Sequence, residues 1–353
     1  MTPPHLLLGI ESSCDETAAA VVRDGRTVLS SVIDSQIALH RPHGGVVPEI
    51  ASRRHVEVVD TVIAEAVRQA GVSWSDIEGI AATRGPGLAS SLLIGWSAAK
   101  GLARRLGVPL CAVNHVLGHI HSVFLAPGAP ARADVFPFLA LAVSGGHTAL
   151  YRCEVPGRTR LLGRTVDDAA GEALDKASKL LGLGYPGGPV IDRLARTVPE
   201  KRNTFPHTNL RPEAVEGSGL DPALCFSFSG LKTSLLRRIQ LEGVPSEESA
   251  LAALASEYQE AVVDAVVRRV DRALRSVKTL AVGGGVSLNS RLRERLVELC
   301  ARRRVRLLLA QPCHCGDNAA MIACAAAHGE GLWGDAAQLL DVDPTWEASQ
   351  PLA

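Results

Sequence analysis

The stretch Asn114-His115-Val116-Leu117-Gly118-His119-Ile120-His121 gathers several of the residue types that can do chemistry, directly after a short apolar run at residues 108–113. On a helix, the four-residue step from His115 to His119 sets both imidazoles on one face, one turn apart, where they can chelate one metal ion. Two histidines leave a divalent ion short of ligands. The best distant candidate is Asp317, in Cys313-His314-Cys315-Gly316-Asp317-Asn318, just ahead of another apolar helical stretch. Two imidazoles and one carboxylate would leave positions open for substrate. A bare H-x-x-x-H is otherwise an ordinary surface or core pair, so context must separate the two readings. Cys313 and His314 are further candidate ligands, ranked below the carboxylate.

Other stretches carry weaker signals. Glu11, Asp15 and Glu16 crowd a polar turn, where acids act as general base or bind a metal–phosphate group, although structural turns also favour Asp and Ser. The Gly-rich turn Val143-Ser144-Gly145-Gly146-His147-Thr148 could offer backbone N–H groups to a phosphate, or be a plain hairpin turn. A second run, Val282-Gly283-Gly284-Gly285-Val286-Ser287-Leu288-Asn289, lies between a strand and a helix and lets flat nucleotide parts pack on backbone. It is not the dinucleotide G-x-G-x-x-G, and no Walker lysine follows. Asp168, Glu172 and Asp175 share a helix face; the competing reading is a solvated acidic stripe tied to Lys176 and Lys179. Arginine clusters at 53–54, 104–105, 237–238, 268–269 and 302–304 could form a basic face of tRNA size, though most such clusters are merely solvated.

These residues need strands and helices to hold them. Residues 6–10 and 18–22 read as a hairpin with an acidic, hydroxyl-rich tip, and residues 28–33 as a third strand. A helix at about 50–70, a strand at 77–82 and a helix at 88–106 follow. The order then recurs: a strand at 138–143, a turn, a strand at 148–153, helical stretches near 169–181, 188–195 and 249–274, and strands at 279–282 and 305–309. Two similar halves of this kind predict a duplicated α/β architecture. Residues 126–134, with two prolines, make the expected linker, giving lobes at 1–128 and 129–353, with the last helix, from about 317, able to pack back on the first lobe.

Composition sets the outer limits. A chain of 353 residues can bury two cores. Lys plus Arg and Asp plus Glu both number 37, so there is no global drive toward nucleic acid or anionic membrane, and such a partner must meet a local patch. No apolar run approaches the ~18 residues of a membrane helix, the first apolar run is too short for a signal peptide, and eight cysteines without a regular framework point to reduced thiols. The expectation is a soluble, cytoplasmic protein.

Taken in order, residues 9–17, 44–53, 114–119, 143–148, 226–233 (Phe-Ser-Phe-Ser-Gly-Leu-Lys-Thr), 283–289 and 317–318 closely resemble the bacterial TsaD family, tRNA adenosine threonylcarbamoyltransferases once labelled glycoproteases. The resemblance implies a two-lobed, duplicated ribonuclease-H-like fold of the sugar kinase, heat-shock-protein-70 and actin superfamily. It implies transfer of a threonylcarbamoyl group from threonylcarbamoyl-AMP to the N6 amine of the adenosine 3′ of the anticodon, in tRNAs reading codons that begin with A, with release of AMP. It further implies one metal, iron(II) with zinc as the alternative, on His115, His119 and Asp317; substrate binding by Ala142, Val143, Ser144, Gly145, Gly146, Asp175, Gly188, Asp192 and Asn289; and TsaB and the ATPase TsaE as partners. Asp15 is the candidate general base. Gly316, where the family commonly has Thr, and Ala142, in place of Leu, depart from the family pattern. The rival readings are a small-molecule kinase or carbamoyltransferase on the same fold, a metalloprotease, which would need a glutamate where Val116 stands, and a scaffold, which would not need the ligands.

Overall fold

Most of the apolar runs become strands that are buried along most of their length, as expected of sheets covered by helices, whereas those at 28–33 and 305–309 stay partly exposed. The computed structural model describes residues 4–350, without the side chain of Ser276. Among these, eleven strands form in chain order: β1 (Leu6–Glu11), β2 (Glu16–Arg23), β3 (Thr27–Ser35), β4 (Gly79–Gly85), β5 (Leu110–Asn114), β6 (Phe138–Val143), β7 (Thr148–Val155), β8 (Arg158–Arg164), β9 (Thr279–Gly283), β10 (Arg306–Leu309) and β11 (Gly331–Trp333). They assemble into two sheets, ordered β11-β5-β4-β1-β2-β3 and β10-β9-β6-β7-β8.

Without the edge strand β11 the two orders are the same, strand for strand. β1 pairs in parallel with β4, and β4 with β5; β6 pairs in parallel with β9, and β9 with β10. The duplication expected from the recurring hairpin is therefore present as repeated topology. Contacts divide the chain into two compact units, one of residues 1–136, 153–160 and 310–353, the other of residues 137–152 and 161–309.

In the first unit, Leu8, Ile10, Val21, Ile80, Trp96 and Leu110 belong to a core covered by the Pro48–Ala70 and Ala89–Leu106 helices. In the second, Leu141, Val143, Leu174, Phe226, Tyr258 and Val282 build a separate core with the Ala170–Leu180 and Glu248–Ala273 helices. Each fully buried Leu, Ile or Phe contributes about 1.5–3 kcal/mol, so each unit has its own source of stability.

Among the elements that escaped the sequence reading are β8, β11 and the Ser229–Glu242 helix, besides the short Ile37–His40 and Asp335–Leu339 helices. β8, Arg-Thr-Arg-Leu-Leu-Gly-Arg, is a mostly polar edge strand with one buried residue, β11 is three residues long, and the Ser229–Glu242 helix buries only Leu231 and Leu235. No helix among the described residues is long and apolar enough to cross a membrane. All eight cysteines are free thiols.

Candidate metal centre and glycine-rich network

Asn114 ends β5 and caps the His115–His121 helix: its side-chain oxygen accepts from Val116 N at 2.9 Å and Leu117 N at 3.4 Å. Every residue of that helix is buried. The Ala319–Ala327 helix, Ala-Ala-Met-Ile-Ala-Cys-Ala-Ala-Ala, is almost entirely buried as well, and its small side chains allow close approach. Two glycines make room for it. A Cβ on Gly9 of β1 would sit 2.2 Å from the Ala319 carbonyl oxygen, and one on Gly118 would sit 2.8 Å from Ile322 Cδ1. Asn318 caps this second helix by accepting from Met321 N at 3.0 Å, which places Asp317 just ahead of its first turn.

The result is a tight group of three. His119 Nε2 lies 3.1 Å and His115 Nε2 3.6 Å from Asp317 Oδ1. One ligand atom from each residue falls within 4.8 Å of the others, and among the described residues this is the one such group of His, Cys, Asp and Glu. The donor set fits a first-row divalent ion with positions left open. His119 Nδ1 is buried with no hydrogen-bond partner, so no competing bond ties that ring nitrogen.

A fourth residue completes the arrangement. Glu11, with no exposed surface, accepts from His115 Nδ1 at 3.0 Å, from the Thr83 hydroxyl and from Ser13 N. A carboxylate behind the ring holds the proton on Nδ1 and turns Nε2 toward Asp317. Burial alone would push His115 down, but the Glu11 and Asp317 carboxylates outweigh it and hold the imidazole at about 9. The sequence placed Glu11 in an exposed acidic tip. Its signal was its register, two residues from Gly9 and so on the same face of β1.

Asp15 is buried in the turn after β1, and its carbonyl accepts from Gln36 N at 3.1 Å. Next to it, burial and then the charges of Asp317 and Asp15 push Glu16 up to about 10, so Glu16 keeps its proton at neutral pH. The turn is pinned by His55, whose Nε2–H donates to the Cys14 carbonyl at 2.9 Å while Nδ1 accepts from the Thr17 hydroxyl at 2.7 Å. The sequence reading did not single out His55. Cys313 is exposed, and Cys315 donates to the Ala310 and Gln311 carbonyls; neither they nor His314 join the ligand group.

The second unit collects the glycine-rich residues into one connected network. At the end of β6, Ser144 N donates to the His147 carbonyl at 2.8 Å and His147 N to Ser144 Oγ at 3.1 Å, closing the turn. Gly171 N and Glu172 N donate to the Ser144 and Gly145 carbonyls, so this turn takes up the first amides of the Ala170–Leu180 helix. Gly284, at φ +100, crosses so near β6 that a Cβ would lie 2.3 Å from the Val143 carbonyl oxygen. Asp175 Oδ1 accepts from Gly187 N at 2.6 Å and Gly188 N at 3.4 Å, capping the Gly187–Arg196 helix. Asp192 Oδ1 accepts from Ser290 Oγ at 2.6 Å and from Ser290 N, and Asn289 caps the Ser290–Arg303 helix while donating to Gln259 at 2.7 Å.

Ala142 and Val143 end β6, residues 144–146 form the turn after it and Asn289 follows β9, while Asp175, Gly188 and Asp192 lie on the Ala170–Leu180 and Gly187–Arg196 helices. A Cβ on Gly145, Gly146 or Gly285 would meet nothing within 4 Å, so the backbone there is open to close approach. Asp168 and Glu172 are both salt-bridged to Lys176, at 2.6 and 2.7 Å, which matches the structural reading of the acidic stripe. Members of four arginine clusters are paired as well: Arg54 with Asp34, Arg238 with Glu257, Arg268 with Asp264 and Arg303 with Asp271. Arg269 is buried and donates to backbone carbonyls.

The family described as "TsaD: tRNA N6-adenosine threonylcarbamoyltransferase" matches residues 27–324. A tRNA N6-adenosine threonylcarbamoyltransferase of Trichlorobacter lovleyi is 49% identical over 98% of this chain and 97% of that protein. Among solved structures, HypF of T. kodakarensis superposes with a TM-score of 0.59 at 15% identity, covering 93% of this chain and 48% of that one. Component A of the (R)-2-hydroxyglutaryl-CoA dehydratase of Acidaminococcus fermentans gives 0.51 at 13% identity, over 91% and 97%. Those two likenesses concern the fold alone.

Proposed function

Because the chain belongs to the TsaD family of tRNA N6-adenosine threonylcarbamoyltransferases, we propose that it moves the threonylcarbamoyl group of threonylcarbamoyl-AMP onto the N6 amine of the adenosine 3′ of the anticodon. The tRNAs are those reading codons that begin with A, and AMP is released. The observation that carries this reading is the group of His115, His119 and Asp317 within 4.8 Å, with Glu11 behind His115. These three residues would hold one divalent ion, iron(II) by assignment and zinc as the alternative. Once bound, such an ion supplies positive charge that stabilises the oxygen charge developing on the acyl carbonyl.

The remaining work falls to the chain's own residues. Glu11 orients His115, and Asn114 and Asn318 fix the starts of the two ligand-bearing segments. Asp15 is assigned as general base. The amine nitrogen bonds to the carbamoyl carbon, the bond from that carbon to the phosphate oxygen breaks, and AMP leaves as an anion. The amine proton becomes acidic as the C–N bond forms and passes to Asp15. The open backbone at Gly145 and Gly146, with Ala142, Val143, Ser144, Asp175, Gly188, Asp192 and Asn289, is assigned to the adenylate. TsaB and TsaE are the proposed partners, and the cytoplasm, where free thiols persist, is the proposed location.

Mass spectrometry of tRNA nucleosides after incubation with threonylcarbamoyl-AMP, tRNA and the partners tests the reading. The parent should form the modified nucleoside, and His119→Ala and Asp15→Ala should lose most of it. Full modification by His119→Ala would overturn the metal assignment, full modification by Asp15→Ala would remove the base, and no modification by any form would favour a scaffold.

A further inference from the structure

Residues 340–348 lie beyond the part of the chain matched to the family, 27–324, and contain neither helix nor strand. They are nonetheless bound closely to the first sheet. Trp96 Nε1 and Lys100 Nζ donate to the Leu340 carbonyl at 3.2 and 2.5 Å. Arg84, near the end of β4, donates through Nε to the Asp341 carbonyl at 2.7 Å, and its own carbonyl accepts from Asp343 N at 2.9 Å. A Cβ on Gly85 would fall 1.8 Å from the Asp343 carbonyl oxygen, so the two backbones touch.

The last anchor reaches the metal centre. Trp346 is 5% exposed, with the Arg84 guanidinium 4.9 Å from its ring. Its carbonyl accepts from Asn114 Nδ2 at 2.9 Å. Asn114 is fully buried, and its oxygen caps the helix that begins at His115. The amide therefore works in both directions: the bond to Trp346 decides which end of the side chain faces the helix amides. Without it, a buried NH2 group would lack a partner and the cap could turn away.

We propose that residues 340–348 form a strap whose docking positions the ligand-bearing helix, with Asn114 and Trp346 as positioning residues that set how tightly the first unit grips its divalent ion. This rests on the metal reading above. The strap acts through the Asn114 amide.

Zinc affinity of the full-length chain, measured by competition with a chromophoric chelator in the absence of tRNA and adenylate, tests the proposal. Trp346→Ala, which frees the cap to turn, should weaken zinc binding by about fivefold, the size of an N-cap contribution, and Asn114→Ser, which loses only the anchor to the strap, should weaken it measurably but less. Serine keeps an oxygen for the helix amides but has no NH2 for the strap, so it separates orientation from capping. Leu339→Ala, at a position 87% exposed just ahead of the strap, should bind as the parent does. Parental affinity in Asn114→Ser, or equal weakening in Leu339→Ala, would overturn the strap. A parent that bound no zinc would overturn the metal reading and this one with it, whereas zinc binding without tRNA modification would leave the strap standing and remove the proposed function.

Discussion

Replacing Glu11 by glutamine should loosen the metal without unfolding the chain. The buried carboxylate accepts from His115 Nδ1, the Thr83 hydroxyl and Ser13 N. Alanine would strand all three donors in a dry interior at about 1–3 kcal/mol each, or about 3–9 kcal/mol against a typical total stability of about 5–15 kcal/mol. That change would report on folding. Glutamine keeps the volume and one accepting oxygen but removes the charge and turns an NH2 toward the cluster of donors. His115 then loses the group that fixes its ring and raises its basicity, a loss typically worth about 10- to 100-fold in metal affinity, or about 1.4–2.7 kcal/mol. Chelator competition with zinc, alongside thermal melting, separates the two effects. Glu11→Gln that melted like the parent and held zinc equally well would refute the view that this carboxylate prepares the histidine.

Three further perturbations follow from the same geometry. Gly9→Ala sets a methyl 2.2 Å from the Ala319 carbonyl oxygen, a backbone atom that cannot rotate away; the Ala319–Ala327 helix must shift at a cost of about 1–3 kcal/mol, seen as a lower denaturation midpoint together with weaker zinc binding. His55→Ala leaves the Thr17 hydroxyl and the Cys14 carbonyl without their partner and should slow tRNA modification as well as lower stability, while His55→Gln, which can donate to the Cys14 carbonyl, should recover part of both; equal loss in the two variants would contradict the assignment. Burial, followed by the charges of Arg132 and Arg26, pushes His328 down to about 4 from 6.5. Between those values the unfolded chain binds the extra proton, so stability is full above pH 6.5 and falls as pH drops toward 4, by at most about 3 kcal/mol. Melting temperature should decline more steeply over that range in the parent than in His328→Gln, and parallel slopes would refute it.

How far the sequence revealed this arrangement depended on whether a feature is local. The step from His115 to His119 needs only one helical turn, and it is visible in the spacing because Asn114 supplies the cap beside it. The hairpin echoed at residues 138–153 is local too, and it led to the duplication that the two strand orders display. Asp317 could be chosen as a third ligand by its residue type, but what brings it to the histidines is two missing side chains, at Gly9 and Gly118, about 200–300 residues earlier in the chain.

Glu11 illustrates the harder case. Three acids within six residues look like a solvated tip. Their fates then diverge within one turn: Glu11 is sealed under the Ala319–Ala327 helix with three donors, Asp15 is buried in the turn, and Glu16 keeps its proton. Charge and spacing are the same kind of signal for all three, so only the strand register of Glu11, on the face that Gly9 opens to a helix, distinguishes it. The strap at residues 340–348 alternates apolar and polar residues, with Leu340 and Val342 against the first core and Trp346 and Ala348 buried, yet it forms no strand, and many of its anchors are carbonyl oxygens. Backbone acceptors carry no residue code, so a segment that docks through them leaves its mark on its partners as well: a glycine where the chains touch, a buried asparagine with both ends occupied, and an arginine laid over the strap's tryptophan.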